Sequence, residues 1–176
     1  MPNYGKVVFS KSEIQKRVIE LGEMISKDYN GEDLLLIGVM KGAFMFMADL
    51  ARAISIPVSI DYVGISAFHS RSRGRGAVRL SSDLNENISG KNVLVVEDII
   101  NSGLTVEYIT NNLKAREPKS VKICTLLDKT DKRRNDFRPD YVGFTIPNIY
   151  VIGYGLDYQD SYRNLPYIAA LDSENK

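Results

Sequence analysis

The residues best placed to do chemistry are a pair of adjacent carboxylates, Glu97 and Asp98, followed shortly by Ser102-Gly103-Leu104-Thr105. They come directly after Val93-Leu94-Val95-Val96, an apolar run read as a strand. The segment that follows opens a helix with free backbone amides and two hydroxyls. Carboxylates suit sugar hydroxyls or Mg²⁺, whereas amides and hydroxyls suit a phosphate. A sugar phosphate would satisfy both halves. The plainer reading is that Glu97 and Asp98 cap a helix while Gly103 permits a turn, and an isolated acidic pair would carry only that.

The elements that must position these groups can be read from period and punctuation. Ser10 and Glu13 form a capping box flanked by Phe9 and Ile14, and Ile14, Val18, Leu21 and Ile25 recur at helical spacing, so a helix is expected over 11–28, ended by Asn30-Gly31. Leu34 to Val39 reads as a strand, Met40-Lys41-Gly42-Ala43 as a tight turn, and 44–53 as an apolar helix. Val93–Val96 repeats that order, with a polar turn from Glu97 to Thr105 and a helix to about Arg116. Val121 to Leu127 is a further strand. Continuously apolar strands belong to parallel sheets covered on both faces. The expected fold is α/β, a doubly wound, mostly parallel sheet. Ligands of such sheets bind at the carboxyl ends of the strands, which is where Glu97 to Thr105 falls.

Other segments have a different texture. Val58 to Ile65 is an expected strand, 66–77 (SAFHSRSRGRGA) an arginine-rich, flexible lid, and Val78 to Leu80 a return strand. Tyr141–Phe144 and Tyr150–Tyr154 read as short strands around Pro147-Asn148, and the tail as a Tyr-rich loop. The expectation is one domain over 1–176, with a core at about 31–144, the lid at about 66–77, and a small hood from about 1–10 and 145–176.

Composition excludes several classes. With 23 basic and 22 acidic residues the net charge is +1, which gives no global footprint for nucleic acid. No apolar stretch approaches the roughly 20 residues that a membrane helix needs. The opening MPNYGKVVFSKSE lacks a signal-peptide core, and the single cysteine, Cys124, forms no internal disulfide; a cytoplasmic setting is expected. Cys124 lies in an apolar strand and reads as a core thiol. His69, the only histidine, reads as a loop residue.

The thirteen residues Val93–Thr105 resemble the phosphoribosyl pyrophosphate motif of type I phosphoribosyltransferases. Gly38-Val39-Met40-Lys41-Gly42-Ala43 is similar to the pyrophosphate loop of the 6-oxopurine branch, the hypoxanthine-guanine salvage enzymes. Cys124–Lys129, Val142–Pro147, and Val151–Tyr158 followed by Tyr162–Pro166 resemble that branch's purine-binding and C-terminal segments. Five motifs stand in the family's order along nearly the whole chain. The resemblance implies Mg²⁺-dependent transfer of a 5-phosphoribosyl group from phosphoribosyl pyrophosphate to hypoxanthine or guanine, giving IMP or GMP and pyrophosphate. It implies a homodimer or homotetramer, with no membrane and no nucleic-acid partner. Residue by residue, Ser102, Gly103, Leu104 and Thr105 would hold the 5′-phosphate. Glu97 and Asp98 would meet ribose or metal. Lys41, Gly42 and Arg163 would hold pyrophosphate, the peptide before Lys41 being one that can be cis in this family. Lys129 would donate to the purine 6-oxo group, Tyr150 would stack on the base, Val151 would offer backbone polar groups, and Leu156 would pack nearby. Asp157 would lie near the base and the metal, so that Glu97, Asp98 and Asp157 form the metal set. Taken alone, Lys129 begins a charged run and reads as a surface lysine.

Two departures from the family pattern stand out. The position two before Gly103 is normally aspartate, which accepts the proton of purine N7; here it is Asn101, whose amide accepts a hydrogen bond but has no basic site. This is either a substitution introduced to trap a complex or a natural change that lowers or alters activity, and an otherwise intact motif favours the former. The lid carries Ala67-Phe68 in place of a Ser-Tyr pair, then His69 and Arg71, Arg73, Arg75 and Arg79. These arginines are a solvated loop, a pyrophosphate clamp, or a basic surface for RNA. Asn101 and the lid together motivate a second reading, a nucleotide-sensing or RNA-binding regulatory protein on the same fold.

Overall fold

The computed structural model describes residues 4–68, 77–133 and 136–171. Along the chain its strands are β1 (Tyr4–Phe9), β2 (Leu34–Met40), β3 (Val58–Phe68), β4 (Ala77–Ser82), β5 (Asn92–Ile100), β6 (Ser120–Asp128), β7 (Tyr141–Thr145), β8 (Val151–Ile152) and β9 (Ile168–Leu171). Its helices are α1 (Lys11–Asp28), α2 (Phe44–Ala53) and α3 (Leu104–Lys114), with a single 3₁₀ turn at Thr130–Lys132.

The apolar runs become a sheet because their side chains alternate between two cores. Leu34 and Leu36 of β2 enter one apolar cluster, and Leu35, Ile37 and Val39 the other. In β5, Leu94 and Val96 divide from Val93 and Val95 in the same way. Ile14, Val18, Leu21 and Ile25 of α1 and Phe46, Met47 and Leu50 of α2 fill the first cluster; Val106, Ile109 and Leu113 of α3 fill the second. Each such side chain contributes roughly 1.5–3 kcal/mol when removed from water. The six strands run in the order β4-β3-β2-β5-β6-β7, and only β4 is antiparallel to its neighbour. The doubly wound, mostly parallel sheet is therefore as expected.

Local signals act where the sequence placed them. Ser10 Oγ accepts the Glu13 N–H at 3.3 Å while the Ser10 N–H donates to Glu13 Oε2 at 2.8 Å, completing the capping box of α1. Phe9 stacks on Phe144 at 4.0 Å between ring centroids. Arg17 of α1 donates from Nε to the Gly143 carbonyl and from Nη2 to that of Val142, each at 2.8 Å, which covers the outer edge of β7.

Several boundaries differ from expectation. β5 continues through Glu97 and Asp98 to Ile100, so both carboxylates sit on a strand rather than in a turn. Parallel pairing with β6 extends it, Glu97 lying opposite Thr125 and Ile100 opposite Asp128. Tyr141–Thr145 and Val151–Ile152 are not companions: β7 closes the large sheet, whereas β8 joins β9 and β1 in a three-stranded antiparallel sheet. The tail, expected as loop, thus supplies β9, which pairs with the chain's opening segment. β3 and β4 run on through Ser66–Phe68 and from Ala77, shortening the expected lid at both ends. His69, Arg71, Arg73 and Arg75 lie outside the described residues. No helix among the described residues is long and apolar enough to cross a membrane.

Candidate active site

The strand ends deliver three groups of side chains. At the end of β5 a cavity of about 120 Å³ is lined by Glu97, Ile99, Ile100, Asn101, Ser102, Gly103, Thr105 and Val106. Gly103 caps α3 with φ at 82°, a left-handed conformation that a side chain would strain, and α3 begins at Leu104. The first amides of an eleven-residue helix, together with two hydroxyls, therefore border one small volume. Such a helix start favours an anion. Leu104 itself is exposed.

Glu97 stands on the floor of this cavity, 8% exposed, and its Oε2 is buried without a hydrogen-bond partner. Burial, reinforced by the neighbouring Asp98 charge, holds its carboxyl well above the usual carboxylate range. Burial also pushes Asp98 up to about 6, against the Ile99 N–H, which donates to Asp98 Oδ1 at 2.7 Å, and against the Arg163 charge. Two carboxyls held short of cations are poised for hydroxyl donors or a divalent ion.

The second group is built on the β2–α2 turn and the 153–163 loop. The Met40–Lys41 peptide is cis, as the resemblance implied. Gly42 allows close approach: a Cβ there would overlap Asp98 Oδ2. Opposite, Tyr154, Gln159, Asp160 and Tyr162 are all left-handed, with φ of 50°, 51°, 61° and 76°. Such a cluster of sparsely populated backbone is typical of functional loops. Within it Arg163 Nη1 donates to the Gly155 carbonyl at 2.7 Å, and Nη2 lies 2.9 Å from Asp157 Oδ1. Its Nε is buried and unpartnered. Lys41 and Arg163 line a cavity of about 280 Å³ with Met40, Phe44, Met45 and Gly155.

The third group begins at the end of β6. The backbone N–H of Lys129 donates to the Ile100 carbonyl at 2.9 Å, tying it beside Asn101. Lys129 is 8% exposed, against the surface placement that its charged run taken alone suggests. Burial, then the Lys132 charge, lowers its pKa. The adjacent acid does not neutralise it, because Asp128 pairs with Arg133, both side chains being almost fully buried. Tyr150 is 44% exposed, packs edge-on to Tyr158 at 5.9 Å and donates from its hydroxyl to the Asp157 carbonyl at 3.1 Å. Val151 lies opposite Ala170 in β8, at the edge of the small sheet. The Leu156 side chain is buried in the first core cluster, and its backbone exchanges hydrogen bonds with Gly153.

Glu97, Asp98 and Asp157 do not converge as a metal cage. Among the described residues no three acids, histidines or cysteines are grouped to hold an ion, and both Asp157 oxygens are engaged, by Arg163 and by the Asp160 N–H. Magnesium needs fewer protein ligands, because substrate phosphates and water complete its shell around one or two carboxylates. The unpartnered Glu97 oxygen beside the raised Asp98 carboxyl fits that smaller role. Sequence reasoning missed two contributors, Asp160 and the Asp128–Arg133 pair. The first signal was an acid placed midway between Asp157 and Arg163; the second was hidden in a charged run.

Residues 8–159 match the family model described as the phosphoribosyl transferase domain. The chain is 46% identical over 172 residues to the hypoxanthine-guanine phosphoribosyltransferase of Mycobacterium tuberculosis, covering 94% of this chain and 85% of that one. The crystal structure of a hypoxanthine phosphoribosyltransferase from Staphylococcus aureus superposes with a TM-score of 0.94 at 42% identity, covering 98% of this chain and 94% of that one. A second structure, the asparagine mutant from an analysis of an invariant aspartic acid in HPRTs, gives a TM-score of 0.92 at 41% identity, over 98% and 95% of the two chains.

Proposed function

Because the chain belongs to the phosphoribosyl transferase family, we propose that it works in purine salvage, moving 5-phosphoribosyl from phosphoribosyl pyrophosphate to N9 of hypoxanthine or guanine. The products are IMP or GMP and pyrophosphate. The observation that carries this reading is the cavity at the end of β5, where the unpartnered Glu97 oxygen, Asn101 and the start of α3 enclose one volume. A phosphorylated sugar supplies an anion for the helix start and hydroxyl donors for the acids.

The roles follow from that placement. Ser102, Gly103, Leu104 and Thr105 hold the 5′-phosphate through amides and hydroxyls, and Glu97 and Asp98 orient the ribose hydroxyls. Lys41, Gly42 and Arg163 receive the pyrophosphate. Lys129 donates to the 6-oxo group, Tyr150 covers the base, and the edge of β8 at Val151 presents backbone groups to the ring, with Leu156 beneath and Asp157 alongside. In the reaction the bond from C1′ to pyrophosphate breaks with its electron pair leaving on oxygen, N9 forms the new bond to C1′, and the imidazole proton must depart. A ribosyl cation-like transition state gains most from positioning and fixed charge. Mg²⁺ held with Glu97 or Asp98 would supply charge neutralisation on the departing group. Lys129 selects the base because its largely buried side chain brings a charged donor to the place of a carbonyl oxygen.

Asn101 is the weak point of this machinery. Its amide oxygen can hold the N7 proton in a hydrogen bond but cannot take it, and losing a general base costs roughly 10²–10⁴-fold in rate. The reading also places the protein in the cytoplasm, treats residues 1–176 as one domain, and gives the exposed apolar side chains Phe44, Ile60 and Tyr62 a second copy of the chain to cover them. The test is steady-state turnover of hypoxanthine and guanine with phosphoribosyl pyrophosphate and Mg²⁺, for this chain and its Asn101→Asp variant. At least a hundredfold gain with little change in KM is expected. Equal rates would remove Asn101 from the proton path. Absence of turnover in both, with salt-sensitive RNA binding, would favour the regulatory reading instead.

A further inference from the structure

The two cations assigned to pyrophosphate converge on one carboxylate outside the family motifs. Lys41 Nζ lies 2.9 Å from Asp160 Oδ2 and 3.3 Å from Oδ1, and Arg163 Nη2 lies 3.1 Å from Oδ1. Asp160 is left-handed at φ 61°, and its N–H donates to Asp157 Oδ2 at 2.8 Å, so the carboxylate is presented from a backbone anchored within the site. The pair of cations holds its carboxyl below the usual range.

We infer that Asp160 is an internal counter-anion of the pyrophosphate site: it occupies the donors of Lys41 and Arg163, weakens pyrophosphate binding and so promotes its release. This rests on the reading that these two cations receive pyrophosphate. A preorganising role is the opposite possibility, and the geometry argues against it. Arg163 is also held by Asp157 at 2.9 Å and by the Gly155 carbonyl at 2.7 Å, anchors that do not involve Asp160. Lys41 and Asp160 are 70% and 63% exposed, so their pair fixes little. What Asp160 chiefly contributes is competition for the Lys41 and Arg163 donors that a polyanion must use.

Isothermal titration with inorganic pyrophosphate, with and without Mg²⁺, tests this on the wild type, Asp160→Asn, Lys41→Met and the double variant. Asparagine tolerates the left-handed backbone, so the loop is retained. Because both pairs are partly solvated, Asp160→Asn should bind pyrophosphate only ~3–10-fold tighter. That gain should shrink at least twofold in the Lys41→Met background, since the two residues act through each other. Unchanged or weaker binding by Asp160→Asn overturns the inference, as does an identical gain in both backgrounds, which a plain field effect would give. If wild type fails to bind pyrophosphate, or Lys41→Met leaves its affinity untouched, the underlying site assignment falls and takes the inference with it.

Discussion

Replacing Asp98 by asparagine should make the protein more stable while disabling it, and the structure supplies the size of the effect. Burial moves the Asp98 carboxyl from an ordinary 3.8 to about 6. One unit is worth 1.36 kcal/mol, so ionising this group in the folded protein costs about 2–3 kcal/mol. The folded-state pKa lies above the unfolded one, so the folded protein holds the proton more tightly. The penalty is therefore absent below about pH 4, grows between about pH 4 and 6, and is complete above that. The amide of the Asp98→Asn variant carries no charge at any pH, and its oxygen can still accept the Ile99 N–H that now reaches Asp98 Oδ1 at 2.7 Å. In a chain of 176 residues, about 2–3 kcal/mol corresponds to a melting temperature higher by ~5–10 °C at pH 8.

The assay is paired urea denaturation of wild type and Asp98→Asn from pH 4 to 8, taking the difference at each pH so that other acids cancel. The gap should open through pH 4–6 and then hold level. Adding Mg²⁺ with phosphoribosyl pyrophosphate should narrow it, because those ligands favour the ionised acid that the variant lacks. A difference independent of pH, or a variant less stable than wild type at pH 8, would refute the view that Asp98 is held ionised at a cost.

Further outcomes separate positioning from stability. Arg133→Met strands Asp128 as a buried, unpaired charge and should cost about 3–5 kcal/mol in thermal or chemical melts, most of it recovered in the Arg133→Met, Asp128→Asn double variant. Lys129→Gln should instead leave stability level or slightly higher, since a buried ammonium is removed, while KM for hypoxanthine and guanine rises at least ~10-fold; an unchanged KM would detach Lys129 from the base. Gly42→Ala drives a Cβ into Asp98 Oδ2, and the resulting shift should lower turnover by ~10²-fold with little change in melting temperature.

What the sequence disclosed tracks how local each signal is. The helix over Lys11–Asp28 announced itself because a capping box and a 3.6-residue apolar period agree over neighbouring residues. The parallel core was legible because strands buried on both faces must be apolar throughout. Glu97 and Asp98 read as a turn because polarity usually ends a strand; here the ladder to Thr125 and Leu127 on β6 carries them onward. Pairing of this kind depends on a partner more than twenty residues away. β1 and β9 escape sequence reading for the same reason, β1 being a strand only through β9, and β9 through β1 and β8. The burial of Lys129 was invisible because Lys129 to Arg134 reads as a solvated charged run, and only tertiary structure turns Arg133 inward onto Asp128.

The three parts of the site differ in their charge balance, and that difference bears on the order of events. At the end of β5 burial raises the pKa values of both acids. At the end of β6 burial, then the Lys132 charge, lowers the pKa of Lys129. The proposed product, a ribosylated purine, would relieve both by bringing hydroxyls to one and a carbonyl to the other, and would be gripped at both ends. The Lys41–Arg163 arm is already neutralised by Asp157 and Asp160. A pyrophosphate bound there must displace existing partners and gains only the difference. On this reading, pyrophosphate leaves first because its place is the only one of the three already filled by the protein, and trapping experiments after a single turnover should find the nucleotide retained once pyrophosphate has gone.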